Sequence, residues 1–377
     1  MPRPTRIVVG MSGGVDSSVT AALLLRQGYE VIGITLKMWP QDCSAIMEDK
    51  CCGPQAMADA RNVASKLGIS HYVIDETKEF EKVVIDYFTS EYQQGRTPNP
   101  CVLCNEKLKF GNLVTKALGL GASHVATGHY ARIAKNGNGY LLRRSLDLHK
   151  DQSYFLFSLR QEQLARMLMP IGELSKIEVR AIAKELGLEV YDKEESQDIC
   201  FVPEDNYALF LKARLGESKF HAGEIVHRDG RILGKHQGIE LFTIGQRKGI
   251  NVGSSKPLYV LDIDAASQRV IVGDDEDLWR DVFTVERASW GLNGPLKDGS
   301  KITVKIRHSH EGAKASLYAE KNGSYRVELD EPQRAITAGQ AAVFYDGDVV
   351  MGGGWIVRQG TSITDQLSAK EKIKALP

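Results

Sequence analysis

The stretch Gly10-Met-Ser-Gly-Gly-Val-Asp-Ser-Ser-Val19 restricts the fold more than any other part of the chain. It follows Arg6-Ile-Val-Val-Gly10, a short apolar run with the composition of a buried strand. It leads into Ser18–Gln27, where Val19, Ala22 and Leu23 recur at helical spacing. A glycine-rich turn between strand and helix lets the backbone approach an anion closely. The hydroxyls of Ser12, Ser17 and Ser18 and the free amides of the helix start can then donate to phosphate oxygens. The loop lacks the lysine of a Walker A sequence and does not fit GxGxxG. It reads as a phosphate cradle of another kind, although a Gly-Ser turn with a purely structural role has the same composition.

The strand–helix pattern repeats. Glu30–Leu36, His71–Asp75 and Ser123–Thr127 read as strands, Gln55–Leu67 and Phe80–Tyr92 as helices, which predicts an α/β fold with a doubly wound parallel sheet. "KNGNGY" then marks a hairpin between Ala131–Ile133 and Leu141–Arg144. Ser175 and Glu178 form a capping-box pair at the start of a further helix. From about Gly216 the chain turns to short alternating strands punctuated by glycine. The expected domains are 1–212 for the α/β unit, 213–275 for a small β-rich domain, 276–360 for a β-barrel and 361–377 for a polar tail.

The 377 residues carry 48 basic and 48 acidic side chains, so any nucleic-acid partner must be held by local basic patches. The N-terminus lacks the pattern of a signal peptide and no apolar run reaches the length of a membrane span, so the expected location is the cytoplasm. There the six cysteines, Cys43, Cys51, Cys52, Cys101, Cys104 and Cys200, meet reducing conditions, which favour catalytic or ligand roles over permanent bridges. All six fall in the first 200 residues.

Cys101 and Cys104 form a CxxC within "TPNPCVLCNEKLKF", which alone is a weak signal. A zinc site wants a second knuckle, and the adjacent Cys51 and Cys52 do not supply a standard one. A thioredoxin-like pair belongs to a fold without a phosphate loop. Burial of one cysteine with no chemistry, or sulfur transfer together with Cys200 of "EESQDICF", remain open on the residues themselves.

SGGxDS resembles the loop of the PP-loop ATP pyrophosphatase superfamily. "GRTPNPCVLCNEKLKFG", "ATGHYAR", "KDQSYFL", "SQDICF" and "FTIGQRKG" follow it in the order found in bacterial tRNA-specific 2-thiouridylases, the MnmA/TrmU family. The similarity runs from Gly10 to about residue 354.

The resemblance implies ATP with Mg2+ at Gly10, Met11, Ser12, Gly13, Gly14, Val15, Asp16 and Ser17, with Asp16 ordering magnesium or pyrophosphate and Leu36 and Gly128 beside the nucleoside. It implies adenylation of the C2 carbonyl of uridine 34 in a tRNA, followed by sulfur transfer. Cys200 would carry a persulfide received from a cysteine desulfurase or a relay protein, and Cys104 would be the nucleophile. Contacts to tRNA are implied for Asn99, Pro100, Cys101, His129, Lys150, Asp151, Gln152, Arg307, His308 and Gln340, with the barrel binding the RNA by shape.

Some family members have aspartate where this chain has Cys101, so an alternative makes Cys101, Cys104 and Cys200 ligands of a [4Fe-4S] cluster. Gln246, Arg247 and Lys248 are expected in a mobile segment over the site. Competing functions are another PP-loop ligase acting on a small molecule, and a non-catalytic ATP-responsive RNA-binding protein or persulfide carrier.

Overall fold

The computed structural model describes residues 4–38, 53–137, 139–194, 199–202 and 206–358. Cys43, Cys51, Cys52 and the tail from 361 lie outside them. In the first part of the chain the strands are β1 (Arg6–Gly10), β2 (Glu30–Lys37), β3 (Ser70–Asp75), β4 (His124–Thr127), a hairpin of β5 (Ala131–Asn136) and β6 (Gly139–Arg144), and the two-residue β7 (Met167–Leu168). Five of these make one sheet in the order β3-β2-β1-β4-β7, parallel throughout.

Side-chain alternation along β1 explains why helices cover both faces. Ile7 and Val9 enter a cluster with Val15 and Val19 of α1 (Val15–Arg26), with Ala60 and Val63 of α2 (Pro54–Leu67), and with Val179 and Ala183 of the helix Lys176–Glu185. Val8 points the other way, into a second cluster with Phe80, Phe88, Leu108 and Phe110. Each of the branched and aromatic side chains among these contributes roughly 1.5–3 kcal/mol by leaving water. The chain runs β1, β2, β3 outward on one side and returns with β4 on the other side of β1. The direction of winding therefore reverses between β1 and β4, where loops leave a crevice at the carboxyl edge.

Two helices stand over that second face. Thr77–Phe80, Glu81–Ile85 and Asp86–Gln93 run on as one, and Pro100–Leu103, Cys104–Asn112 and Leu113–Gly119 as another, each with wider π-type turns in its middle segment. Ser175 caps its helix as expected, accepting from the Glu178 amide at 3.3 Å while Glu178 accepts from the Ser175 amide at 2.7 Å.

The next strands, β8 (Gly223–His227), β9 (Ile232–His236), β10 (Tyr259–Asp264) and β11 (Arg269–Gly273), form a four-stranded sheet in the order β10-β11-β8-β9 around Ile225, Phe242, Val260 and Val272. Gln246, expected in a mobile segment, is built in here. Its backbone amide donates to Thr243, its carbonyl accepts from Val260, and its side chain accepts from the Thr243 amide at 3.0 Å.

Last come β12 (Trp279–Trp290), β13 (Ser300–Lys305), β14 (Ala313–Ala319), β15 (Tyr325–Arg334), β16 (Ala341–Asp346) and β17 (Val349–Val357), which close into a barrel because β12 pairs with both β15 and β17. Its core holds Phe283, Val304, Val327, Phe344 and Ile356. The hairpin β5–β6, which the sequence reading leaves inside the α/β unit, extends this sheet. Val349 registers with Arg143, the Arg144 amide donates to the Asp348 carbonyl at 2.7 Å, and Arg132 and Arg143 grip the Asp348 carboxylate at 2.6 and 3.0 Å. An unpaired strand edge is satisfied by any edge within reach, and the first residues of β17, which precede its pairing with β12, offer one.

Candidate active site

The loop after β1 opens at the crevice. Gly14 caps α1 with extended backbone, so the first-turn amides of α1 have no acceptor within the helix and point toward the crevice mouth. Ser17 Oγ accepts from the Ser12 amide at 3.2 Å and lies 3.4 Å from Ser12 Oγ, so both hydroxyls are gathered inside the loop. Met11 is buried beneath it, its amide donating to Ile34 at 2.8 Å and its carbonyl accepting from Thr35 Oγ1 at 2.7 Å. Leu36 is buried near the end of β2. Gly128, just after β4, packs so closely on the start of α1 that a Cβ there would lie 2.6 Å from the Ser17 nitrogen.

Asp16 is the charged centre of this half. Lys176 Nζ donates to its two carboxylate oxygens at 2.8 and 2.9 Å, and Tyr130 Oη donates to Oδ1 at 2.9 Å. Neither partner stands out in the motifs, but Lys176 has a signal that could have found it. It is the first residue of the helix Lys176–Glu185, where the macrodipole disfavours a cation, and a lysine kept there is a lysine with another task. A second ammonium, from Lys193, reaches the back of the loop, 3.4 Å from the Gly13 carbonyl and paired with Asp59 of α2.

The cysteine half is built from remote segments. Asn112 donates to Glu76 at 2.9 Å and Phe110 packs on His129 at 5.5 Å between ring centres, so the middle of the helix Pro100–Gly119 stands at the carboxyl edge of β3 and β4. Its start therefore projects beyond that edge. The helix begins at Pro100, whose fixed φ suits the first helical position, with Asn99 before it. The first turn holds Cys101, and Cys104 lies a turn further in. Cys104 is only 8 % exposed, whereas Cys101 and Cys200 are partly exposed. Cys200 packs against the same apolar cluster that contains Cys104, next to Phe201, whose ring meets Phe88 at 4.9 Å. Among the described residues no three histidine, cysteine, aspartate or glutamate side chains gather to hold a metal ion.

The residues expected to meet RNA divide by exposure. His129, partly buried, shares a hydrogen bond with Thr127 Oγ1 at 2.8 Å, and burial, with the charge of Lys109 adding to it, holds its imidazole well below its ordinary pKa. His308 packs at a tilt against Phe155, ring centres 4.4 Å apart, its pKa lowered by burial and by Lys305. Arg307 donates to the Arg334 carbonyl at 3.2 Å. Lys150 is partly exposed, whereas Asp151 is buried and accepts from Arg144, from the amides of Ser145 and Ser153, and from Ser153 Oγ. Gln152 Oε1 accepts from the Tyr130 amide at 3.0 Å, which orients the tyrosine that holds Asp16. Gln340 donates to the carbonyls of Thr97 and Pro98, both at 3.1 Å. Asn99 and Pro100 are buried in the turn between them and the cysteines.

Residues 5–204 match the family described as the tRNA methyl transferase HUP domain, 208–274 its PRC-barrel domain, and 280–356 the aminomethyltransferase beta-barrel domain. A protein of Acetivibrio thermocellus named tRNA-specific 2-thiouridylase MnmA is 47% identical over 359 residues, covering 93% of this chain and 99% of the relative. One of the same name from Heliobacterium modesticaldum is 48% identical over 355 residues, covering 93% of this chain and 92% of its own. Solved structures are more distant. A 4-thiouridine synthetase–RNA complex with bound ATP has a TM-score of 0.34 at 17% identity, covering 56% of this chain and 51% of that one.

Proposed function

Because the chain belongs to the tRNA-specific 2-thiouridylase family, we propose that the geometry above replaces the C2 oxygen of uridine 34 in a tRNA by sulfur, with ATP activating that oxygen. The chain is an ATP-dependent tRNA sulfurtransferase. The observation that carries this reading is that the helix bearing Cys104 projects over the same carboxyl edge on which the phosphate loop opens.

A uracil carbonyl is a poor electrophile, so its oxygen first attacks the α-phosphorus of ATP and pyrophosphate leaves. The amides at the start of α1 and the hydroxyls of Ser12 and Ser17 suit the departing phosphates. Lys176, fixed by Asp16, supplies positive charge where negative charge develops. Mg2+ fits this donor set as a nucleotide-bound ion with one protein carboxylate, Asp16, since magnesium keeps most of its shell as phosphate and water. The ion would neutralise the phosphates.

The terminal sulfur of a persulfide on Cys200 then adds to C2 and expels AMP. The Cys104 thiolate attacks the Cys200 sulfur, a Cys104–Cys200 disulfide forms, and the bond between the two persulfide sulfurs breaks to release 2-thiouridine. An external thiol reductant restores both cysteines. These steps draw on cysteine chemistry alone and call for no iron–sulfur cluster.

RNA contacts fall to Lys150, Arg307, His308 and the turn at Asn99–Cys101, with a flipped uridine seated near His129. The neutral state of His129 suits a base rather than a phosphate. A persulfide donor protein and a cytoplasmic setting go with this chemistry. No helix among the described residues is long and apolar enough to cross a membrane.

The test is anaerobic single-turnover thiolation of a uridine-34 tRNA with ATP, Mg2+ and a persulfide donor, with iron and acid-labile sulfide assayed. Iron-free protein that thiolates, and still does so as Cys101→Ser, is the expected result. Activity that tracks iron content and is lost in Cys101→Ser would overturn the two-cysteine course.

A further inference from the structure

We propose that the barrel segment Ala338–Gln340 positions the turn Thr97–Asn99 for catalysis, with Gln340 a positioning residue that acts through the carbonyls of Thr97 and Pro98. The inference rests on the reading above, in which the helix that follows this turn carries the nucleophile.

Two strands of contact tie the segments together. The Thr97 amide donates to the Ala338 carbonyl at 2.9 Å, and Gln340 Nε2 donates to the carbonyls of Thr97 and Pro98 at 3.1 Å each. A primary amide has two N–H donors, and both are spent here. Gln340 therefore has no donor left for a base or phosphate unless this contact breaks. Its two acceptors have no ladder partner of their own: a Thr-Pro turn has one amide fewer than its length, and both carbonyls sit in a partly buried joint.

The barrel backbone is shaped to the same end. Gly339 has φ +91, and a Cβ there would lie 2.7 Å from the Thr97 carbonyl oxygen, so only glycine allows the approach. The segment is itself anchored in the barrel, with the Gly339 amide donating to Ile356 and the Ile356 amide to Gln340, both at 2.9 Å. One residue on, the Ala341 carbonyl accepts from Tyr154 Oη at 2.9 Å. Thr97 and Pro98 are thus both held from the barrel side, and Asn99, the next residue, immediately precedes the helix that contains Cys101 and Cys104. A shift of the turn moves the start of that helix.

The experiment compares Gln340→Ala, Gln340→Glu and Gly339→Ala with the unaltered protein in tRNA binding and in single-turnover thiolation at saturating tRNA and ATP. Gln340→Glu keeps the shape but turns acceptors toward two acceptors, so it should behave like the alanine variant. The expected result is a saturating rate lower by about 10- to 100-fold, as for a reacting group displaced by an ångström, with the tRNA dissociation constant changed less than about threefold. Weaker tRNA binding with an unchanged saturating rate would overturn the proposal and make Gln340 an RNA contact. Thermal melting separates a barrel that fails to fold, the risk in Gly339→Ala, from a fold that holds in the Gln340 variants. Cys104→Ser is run in parallel. If it still thiolates, the functional reading fails, whereas an inactive Cys104→Ser beside fully active Gln340 variants defeats the positioning role alone.

Discussion

The phosphate half and the sulfur half of the site are constructed in opposite ways. The first is largely local: Met11 to Ser17, pinned by Met11 below and Ser17 within, make a cradle whose parts are neighbours in sequence, and Lys176 and Tyr130 join it only at Asp16. The second is assembled from residues near 100, 129, 150, 200, 308 and 340, and depends on a barrel that closes more than two hundred residues after Cys104. A local site fails one residue at a time, whereas an assembled site can be lost through a contact that touches no substrate.

The largest effect should come from the sulfur half. Cys104→Ser and Cys200→Ser are expected to reduce thiolation below about one-thousandth while tRNA-dependent pyrophosphate release persists, because only the second chemical step needs a thiol. Loss of pyrophosphate release as well would mean that the two halves are not separable. Next, Lys176→Met should slow that release about 100-fold at saturating ATP, and Asp16→Asn, which loses the same ion pair together with the carboxylate placed for Mg2+, should slow it further. An Asp16→Asn loss no larger than that of Lys176→Met would mean that the carboxylate serves the ion pair alone.

Breaking the assembled half without touching a reactant gives a smaller but global effect. Asp151, with its side chain 1% exposed, pairs with the partly buried Arg144 and accepts from the amides of Ser145 and Ser153, so Asp151→Ala should lower the unfolding free energy by about 3 kcal/mol, read from denaturant midpoints. A change within error would contradict the pairing. At the back of the loop, Lys193→Met should raise the KM for ATP only about fivefold, as expected for one long contact to the Gly13 carbonyl.

The gentlest test is pH. His71, His129, His308 and His310 all have folded pKa values below the model-compound 6.5, chiefly through burial. The unfolded chain therefore takes up protons first as pH falls, so stability is complete above about 6.5 and declines below it, by at most about 1.4 kcal/mol per pH unit for each histidine. Denaturant midpoints that stay level from pH 7.5 to 5.5 would refute this. Three of the four belong to the assembled half.

The same contrast explains what could be read from the chain alone. Strand–helix alternation, the Ser175–Glu178 pair and SGGVDS report on contacts made within a few residues, and the parallel sheet, the capped helix at Ser175 and the strand–loop–helix turn after β1 were all legible from them. The hairpin's attachment to β17 was not, because a strand's composition does not name its partner. Tyr130 and Lys193 carry no local signal of their contacts with Asp16 and Gly13, which only the winding of the sheet creates. Gln340 and Asp151 looked like surface residues of a binding face, and polarity cannot separate a side chain that meets RNA from one that satisfies a buried turn.

The hairpin has a consequence for how the protein is made. Arg143 emerges from the ribosome 205 positions before Asp348, its partner. At roughly 5–20 residues per second, the β6 edge waits on the order of 10–40 s for the strand it will meet. An open edge is the usual starting point for pairing with the wrong chain, and charged residues are the usual defence. Arg132 and Arg143, which in the finished protein hold Asp348, are on the exposed hairpin throughout that interval. The charges that fasten the barrel thus keep the nascent hairpin from other strands, so their loss would be felt in yield from synthesis before it was felt in catalysis.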